Sequence, residues 1–219
     1  MNTQRSEPMR RIATHDFLGL ASCLLVWGFL RYLKTTDVKF QISMATAYGS
    51  LFLLALTLAI GPWNVLFQKA NPLSSYLRRD IGIWAGILGL VHVVAGIQVH
   101  MGGKIWPYFF PGPEARFNFP LRLDWFGLTN DMGLVATVIL VMLLCLSNNA
   151  SMRALGGTRW KFLQRWNYAA ALLTIFHAWV YQFIEKRHVA YVVVLTIVAL
   201  VVLGLQLAGF RRARGKSLF

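Results

Sequence analysis

The chain reads as an all-α, six-helix transmembrane bundle with both termini cytoplasmic, and three observations predict it. Of its 219 residues 57% are hydrophobic and only 14% are charged, against about 25% charged in a soluble domain. The mean hydropathy is +0.53. The apolar residues gather into six runs separated by short polar stretches. The third observation is the placement of charge. The chain has 22 Lys and Arg against 8 Asp and Glu, a net +14, and the basic residues sit in short segments flanking the apolar runs. That is how a membrane protein fixes its topology. A nucleic-acid surface would cluster them on one soluble face, so nucleic acid is rejected as a partner and the lipid bilayer is expected instead.

The spans follow in order as Phe17–Leu33, Ser43–Phe67, Ile81–Met101, Met132–Leu146, Trp166–Ile184 and Val189–Phe210. The first follows a basic segment and resembles a secretory signal. It is longer than a typical apolar signal core, and no small-residue cleavage site with a soluble domain follows it, so a retained helix is expected. Pro62 should kink or end the second span. The fourth has only 15 residues, short for a crossing, and is expected to be tilted or to begin earlier, near Phe126. The expected division is an N-terminal cytoplasmic segment over 1–16, a membrane domain over 17–210 and a basic cytoplasmic tail over 211–219.

Counting Lys and Arg by side gives 14 at the end carrying the termini and 8 at the other. Basic residues favour the cytoplasmic side, which places both termini inside. The connection from Gly102 to Asp131 is then external. Its aromatic residues, among them Trp106, Phe117, Phe119 and Trp125, suit a cap at the membrane–water interface. Cys23 and Cys145 fall inside apolar runs without metal-binding or haem-attachment spacing and read as small buried hydrophobes. No phosphate-binding loop, dinucleotide fingerprint, nucleophile elbow or zinc-protease motif is present.

The residues that carry chemistry are His92 and His177. Each lies in a run without Asp, Glu, Lys or Arg, and an ionisable group at membrane depth is costly enough to signal function. His92 is 13 residues beyond Arg79 and His177 is 12 beyond Arg165, rises of roughly 20 and 18 Å along parallel helices. Two imidazoles at one depth can ligate a haem iron from both sides. Gly89 and Gly96 share the helix face of His92, with Ala85 below them. Thr174 and Ala170 flank His177. Small residues there leave room for a flat macrocycle, although they also serve plain helix packing. Arg79 and Arg165 could reach haem propionates or simply snorkel to lipid headgroups. His100 and His188, again level with each other near the external ends, could hold a second haem or metal, or could be solvated interface residues. His15, beside Asp16, suggests nothing.

These motifs resemble the ferric reductase-like transmembrane family, and within it the haem-binding membrane subunits of bacterial methionine sulfoxide reductase systems. The family's basic lead into the third helix appears as Arg78-Arg79-Asp80-Ile81-Gly82-Ile83-Trp84 followed by His92. A second anchor runs from Ser147 through Arg153, Leu155 and Gly156 to Trp160, Leu163, Arg165, Tyr168 and His177. The resemblance spans about residues 43–210. It implies b-type haem, transmembrane electron transfer and a separate partner. One position departs: where relatives commonly carry a further His, thirteen residues before His177, this chain has Gln164. A carboxamide is a poor haem ligand, so one haem is expected rather than two.

The expected function is that of a b-type haem membrane subunit, the electron-transfer part of an oxidoreductase, with His92 and His177 as iron ligands. The partner would be a separate flavin or molybdenum enzyme, or a quinone. The alternatives are a small transporter, in which the two histidines line a polar pathway, and a redox-inactive assembly subunit. The transporter would call for further intramembrane charges, and none lies at that depth.

Overall fold

A computed structural model describes residues 3–33, 35–67, 73–111 and 121–216. Among them the chain is built from helices: α1 (Thr3–Tyr32), α2 (Val38–Leu66), α3 (Leu73–Val99), the short α4 (Trp106–Phe109), α5 (Trp125–Leu146), α6 (Asn149–Gln164), α7 (Trp166–Ile184) and α8 (Val189–Lys216). No strand occurs among the described residues. Lys34, Lys69 and Arg116, which are among the basic residues counted by side, and Phe117 and Phe119 of the cap lie outside the described residues.

All six expected runs are helical, and five of the helices are long and apolar enough to cross a membrane: α1, α2, α3, α5 and α8. The sixth, α7, has the expected bounds but carries Asn167, His177 and Gln182, which lower its hydropathy. α5 begins at Trp125 rather than Met132, because Asp124 caps it by accepting from the Gly127 amide. This restores the length that the apolar run lacked. The protein is an integral membrane protein. Arg11 of α1 meets Asp80 at the start of α3, and Gly209 of α8 packs on Pro62 near the end of α2. Both termini therefore lie at one end of the bundle.

Pro62 does not end α2, which continues to Leu66. Proline has no N–H for the carbonyl four residues before it, here that of Leu58. Gln206 of α8 supplies the missing donor, its Nε2 lying 2.9 Å from the Leu58 oxygen. Within a bilayer no water can do this. Replacing Gln206 with Leu should therefore lower stability by about 1–3 kcal/mol, the range for a buried polar group left unpaired. Thermal unfolding in detergent would measure it.

Two elements were not anticipated. α6 is an extra helix, kinked at Gly156, that leads into α7 and ties back through Trp160, whose Nε1 donates to the Leu146 carbonyl. α4 brings Tyr108 down over the end of α3, where its hydroxyl lies within hydrogen-bond distance of the carbonyls of Gly96, Ile97 and His100. Both cysteines are exposed on the bundle surface rather than buried, since a thiol is apolar enough to face lipid.

Arg122 anchors the return from the cap. It donates to both Asp124 oxygens and to the Pro107 carbonyl. That bonding holds the Asp124 carboxyl below its ordinary pKa, against a smaller opposing effect of burial. A depressed carboxyl stabilises the fold above its unfolded pKa near about 4, and that contribution vanishes as pH falls through the folded value. Asp124→Ala, which removes both cap and ion pair, should cost about 1 kcal/mol at pH 7. The difference from wild type should shrink in melts recorded below pH 3.

Candidate functional site

α3 packs chiefly on α2, and α7 chiefly on α5. The two histidine-bearing helices are thereby held either side of a cavity of ≈ 360 Å³, within the range of small-molecule and cofactor sites. His92, His177, Gly89, Gly96 and Thr174 all line it. Ala85 and Ala170 do not; they are buried in helix–helix packing, the plainer role open to small residues.

Each imidazole is fixed by a neighbouring helix. His92 Nδ1 is 2.9 Å from the Ser43 carbonyl of α2, with the Ser43 hydroxyl at 3.2 Å. His177 Nδ1 is 2.8 Å from the Thr129 carbonyl of α5. A carbonyl can only accept, so both Nδ1 atoms carry the proton. Each ring then keeps a bare Nε2, the tautomer that binds metals, with its orienting partner already in place.

The ring centroids stand 6.4 Å apart, with planes crossed at 74°. A metal lies about 2.0–2.1 Å from an imidazole nitrogen, and that nitrogen is roughly 1.1 Å from the ring centre. Two rings sharing one metal in line should thus have centroids about 6.3 Å apart. The pair matches that spacing, and the donor set suits a haem iron bound from both sides.

Glycines bring the helices close to this pair. A side chain at Gly96 would meet the Ser43 hydroxyl at 3.4 Å and His92 Cε1 at 3.7 Å; one at Gly89 would meet Ser50 Oγ at 3.2 Å and Leu140 at 3.3 Å. The tightest approach was not foreseen. A Cβ at Gly133 of α5 would lie 2.8 Å from Cε1 and Nδ1 of His177. Gly133 lies only one helical turn beyond Thr129, whose carbonyl holds the same ring.

The cavity reaches the end of the bundle that carries α4 and the α7–α8 turn, where His100, Tyr108, Tyr181, Gln182 and Arg187 line it. His100 lines it beside Glu185, at 3.8 Å, while His188 does not line it. The His188 Nδ1 instead accepts from the Ala190 amide at the start of α8. Among the described residues no group of three His, Cys, Asp or Glu side chains forms a metal site.

Arg79 and Arg165, expected at the carboxylates of a bound cofactor, do not line this cavity. Arg79 is ten residues of α3, about 15 Å, from Gly89 and toward the other end. It is 8% exposed and donates to Asn149 of α6 at 2.8 Å. Its neighbour Asp80, 2% exposed, lies 3.5 Å from Arg11 and 3.4 Å from His15. Arg79 thus helps tie α3 to α6, while the partly exposed Arg11 and His15 gather around the buried Asp80. Arg165 is exposed at the α6–α7 junction.

Residues 44–175 match the family model described as the ferric reductase like transmembrane component, a segment that includes His92 and stops two residues short of His177. Over 165 residues the chain is 30% identical to the protein-methionine-sulfoxide reductase heme-binding subunit MsrQ of Ralstonia nicotianae, covering 75% of this chain and 69% of that one. Over 191 residues it is 28% identical to the protein of the same name from Herminiimonas arsenicoxydans, covering 82% and 78%. With the matched segment extending over more than half its length, this chain belongs to the ferric reductase-like transmembrane family.

Proposed function

We propose that this protein is the haem-binding membrane subunit of an oxidoreductase, holding one b-type haem between His92 and His177 and passing electrons to or from a separate partner. The observation that carries this reading is the His pair, two Nδ1-protonated imidazoles with centroids 6.4 Å apart. The names of the two relatives, as heme-binding subunits of a protein-methionine-sulfoxide reductase, support it independently. When bound, the haem supplies one-electron chemistry between ferric and ferrous iron. The protein's own residues hold the ligand tautomer through Ser43 and Thr129, keep a flat face clear at Gly89 and Gly96, and surround the site with apolar side chains.

The membrane domain is residues 17–210, between cytoplasmic segments 1–16 and 211–219, in the inner membrane of a bacterium. Both termini are inside, by the excess of basic residues at that end. The end of the cavity lined by His100, Gln182 and Arg187 then faces outward. The partner is a separate flavin or molybdenum protein, or a membrane quinone, and it meets the haem at that end.

The test is a pyridine haemochrome assay on the purified protein against its concentration. The expected ratio is near one, unchanged by His100→Ala or His188→Ala, because His188 does not line the cavity and Gln164 stands where relatives commonly have a further His. A ratio of two that drops to one in either variant would move a second haem to the outer end. A protein purified without any reducible haem would favour the transporter reading.

A further inference from the structure

The turn that closes α7 places two polar side chains in the cavity wall at the end nearest α4. Lys186 adopts a left-handed conformation, φ 47°. Its amide donates to the Phe183 carbonyl and the Arg187 amide donates to the Gln182 carbonyl. This six-residue closure brings the side chains of its first and last residues together, here Gln182 and Arg187, and both line the cavity.

Neither is fully used by the protein. Gln182 is 5% exposed, and its Oε1 has no hydrogen-bond partner among the described residues. A buried amide atom without a partner is rare in folded proteins, and an amide can turn to present either its oxygen or its nitrogen. Arg187 stacks on the Phe40 ring, 4.6 Å from its centroid, and donates to the Met44 sulfur. No carboxylate lies within ion-pair distance of it among the described residues, since Glu185 pairs with His100. Burial lowers the pKa of this guanidinium, against a smaller opposing effect of the nearby Glu185 carboxylate, and an anion in the cavity would favour its charge further. Away from this end the lining includes Leu51, Ala136, Leu140 and Leu195. Among the described residues Arg187 is the one Lys or Arg in the wall.

We propose that Arg187 and Gln182 bind the ligand's carboxylates, so that the haem's propionate edge is at the α7–α8 turn end of the cavity and its apolar edge is toward the leucines. This rests on the haem reading above. It moves the carboxylate anchor from Arg79 and Arg165 to the opposite end of the bundle. It also puts the polar edge of the cofactor on the side where a partner would dock.

The experiment compares iron protoporphyrin IX with its dimethyl ester, which keeps the iron and the ring but lacks the carboxylate charge. Each is titrated into protein produced without haem. Wild type should bind the free acid about ten- to a hundredfold more tightly, the effect of one charge-assisted hydrogen bond. Arg187→Gln should bring that ratio near one while the low-spin spectrum persists, and Arg187→Lys should recover part of it. Gln182→Leu, which leaves the charge in place, should reduce the ratio by a smaller factor. Equal binding of the two porphyrins by wild type would overturn the proposal. So would discrimination that survives in Arg187→Gln but is lost in Arg79→Gln, which would return the carboxylates to the other end. If neither porphyrin gives a low-spin spectrum with wild type, the haem reading itself fails.

Discussion

His92→Ala and His177→Ala should each abolish the six-coordinate low-spin haem spectrum. Loss of a mere orienting partner weakens metal sites about 10- to 100-fold, so loss of a ligand should lower haem affinity by at least the upper figure. The two variants should behave alike, because the rings are held equivalently, each by a carbonyl of the adjacent helix. Helix insertion depends on the apolar runs rather than on one imidazole, so both proteins should still be recovered from membranes with unchanged helical circular dichroism. A normal spectrum in both variants would remove the assignment.

The second large effect is expected at a residue that ligates nothing. A Cβ at Gly133 would lie 2.8 Å from two atoms of the His177 ring. The ring is pinned from the same helix by the Thr129 carbonyl and cannot retreat without losing that bond. Gly133→Ala should therefore shift the haem spectrum toward a high-spin form, and Gly133→Leu should eliminate the low-spin species. Overpacking of this kind costs about 1–3 kcal/mol in stability. Gly204 of α8 is the control, since a Cβ there would meet nothing within 4 Å. Gly204→Ala should leave the spectrum alone. A Gly133→Leu protein with a wild-type spectrum would show that α5 moves aside freely.

Helix α7 shows how local and tertiary information divide. Read as an apolar run, Trp166–Ile184 has the right bounds, yet its polar residues make it less hydrophobic than its neighbours. Two of its polar side chains find partners on α5: Asn130 accepts from Tyr181, and the Thr129 carbonyl holds His177. Arginine gave the opposite outcome. Arg79 and Arg165 were attractive by depth alone, but depth does not say which way a cavity opens. The sequence does not single out Arg187, because Lys186 stands where a glycine usually marks such a turn.

Composition, the six apolar runs and the placement of basic residues were enough to determine an all-helical membrane protein, and the matched depths of His92 and His177 were enough to pair them. These properties depend on one helix at a time, on its length, its hydropathy and its rise per residue. The tertiary structure decided what depends on several helices together. It fixed the tautomer through carbonyls from α2 and α5, the close approach at Gly133, the rescue of the Leu58 carbonyl by Gln206, and the end at which the cavity is polar. Each of these requires atoms from segments far apart in the chain to meet within a hydrogen bond or a van der Waals contact, and no periodicity along one helix encodes that distance.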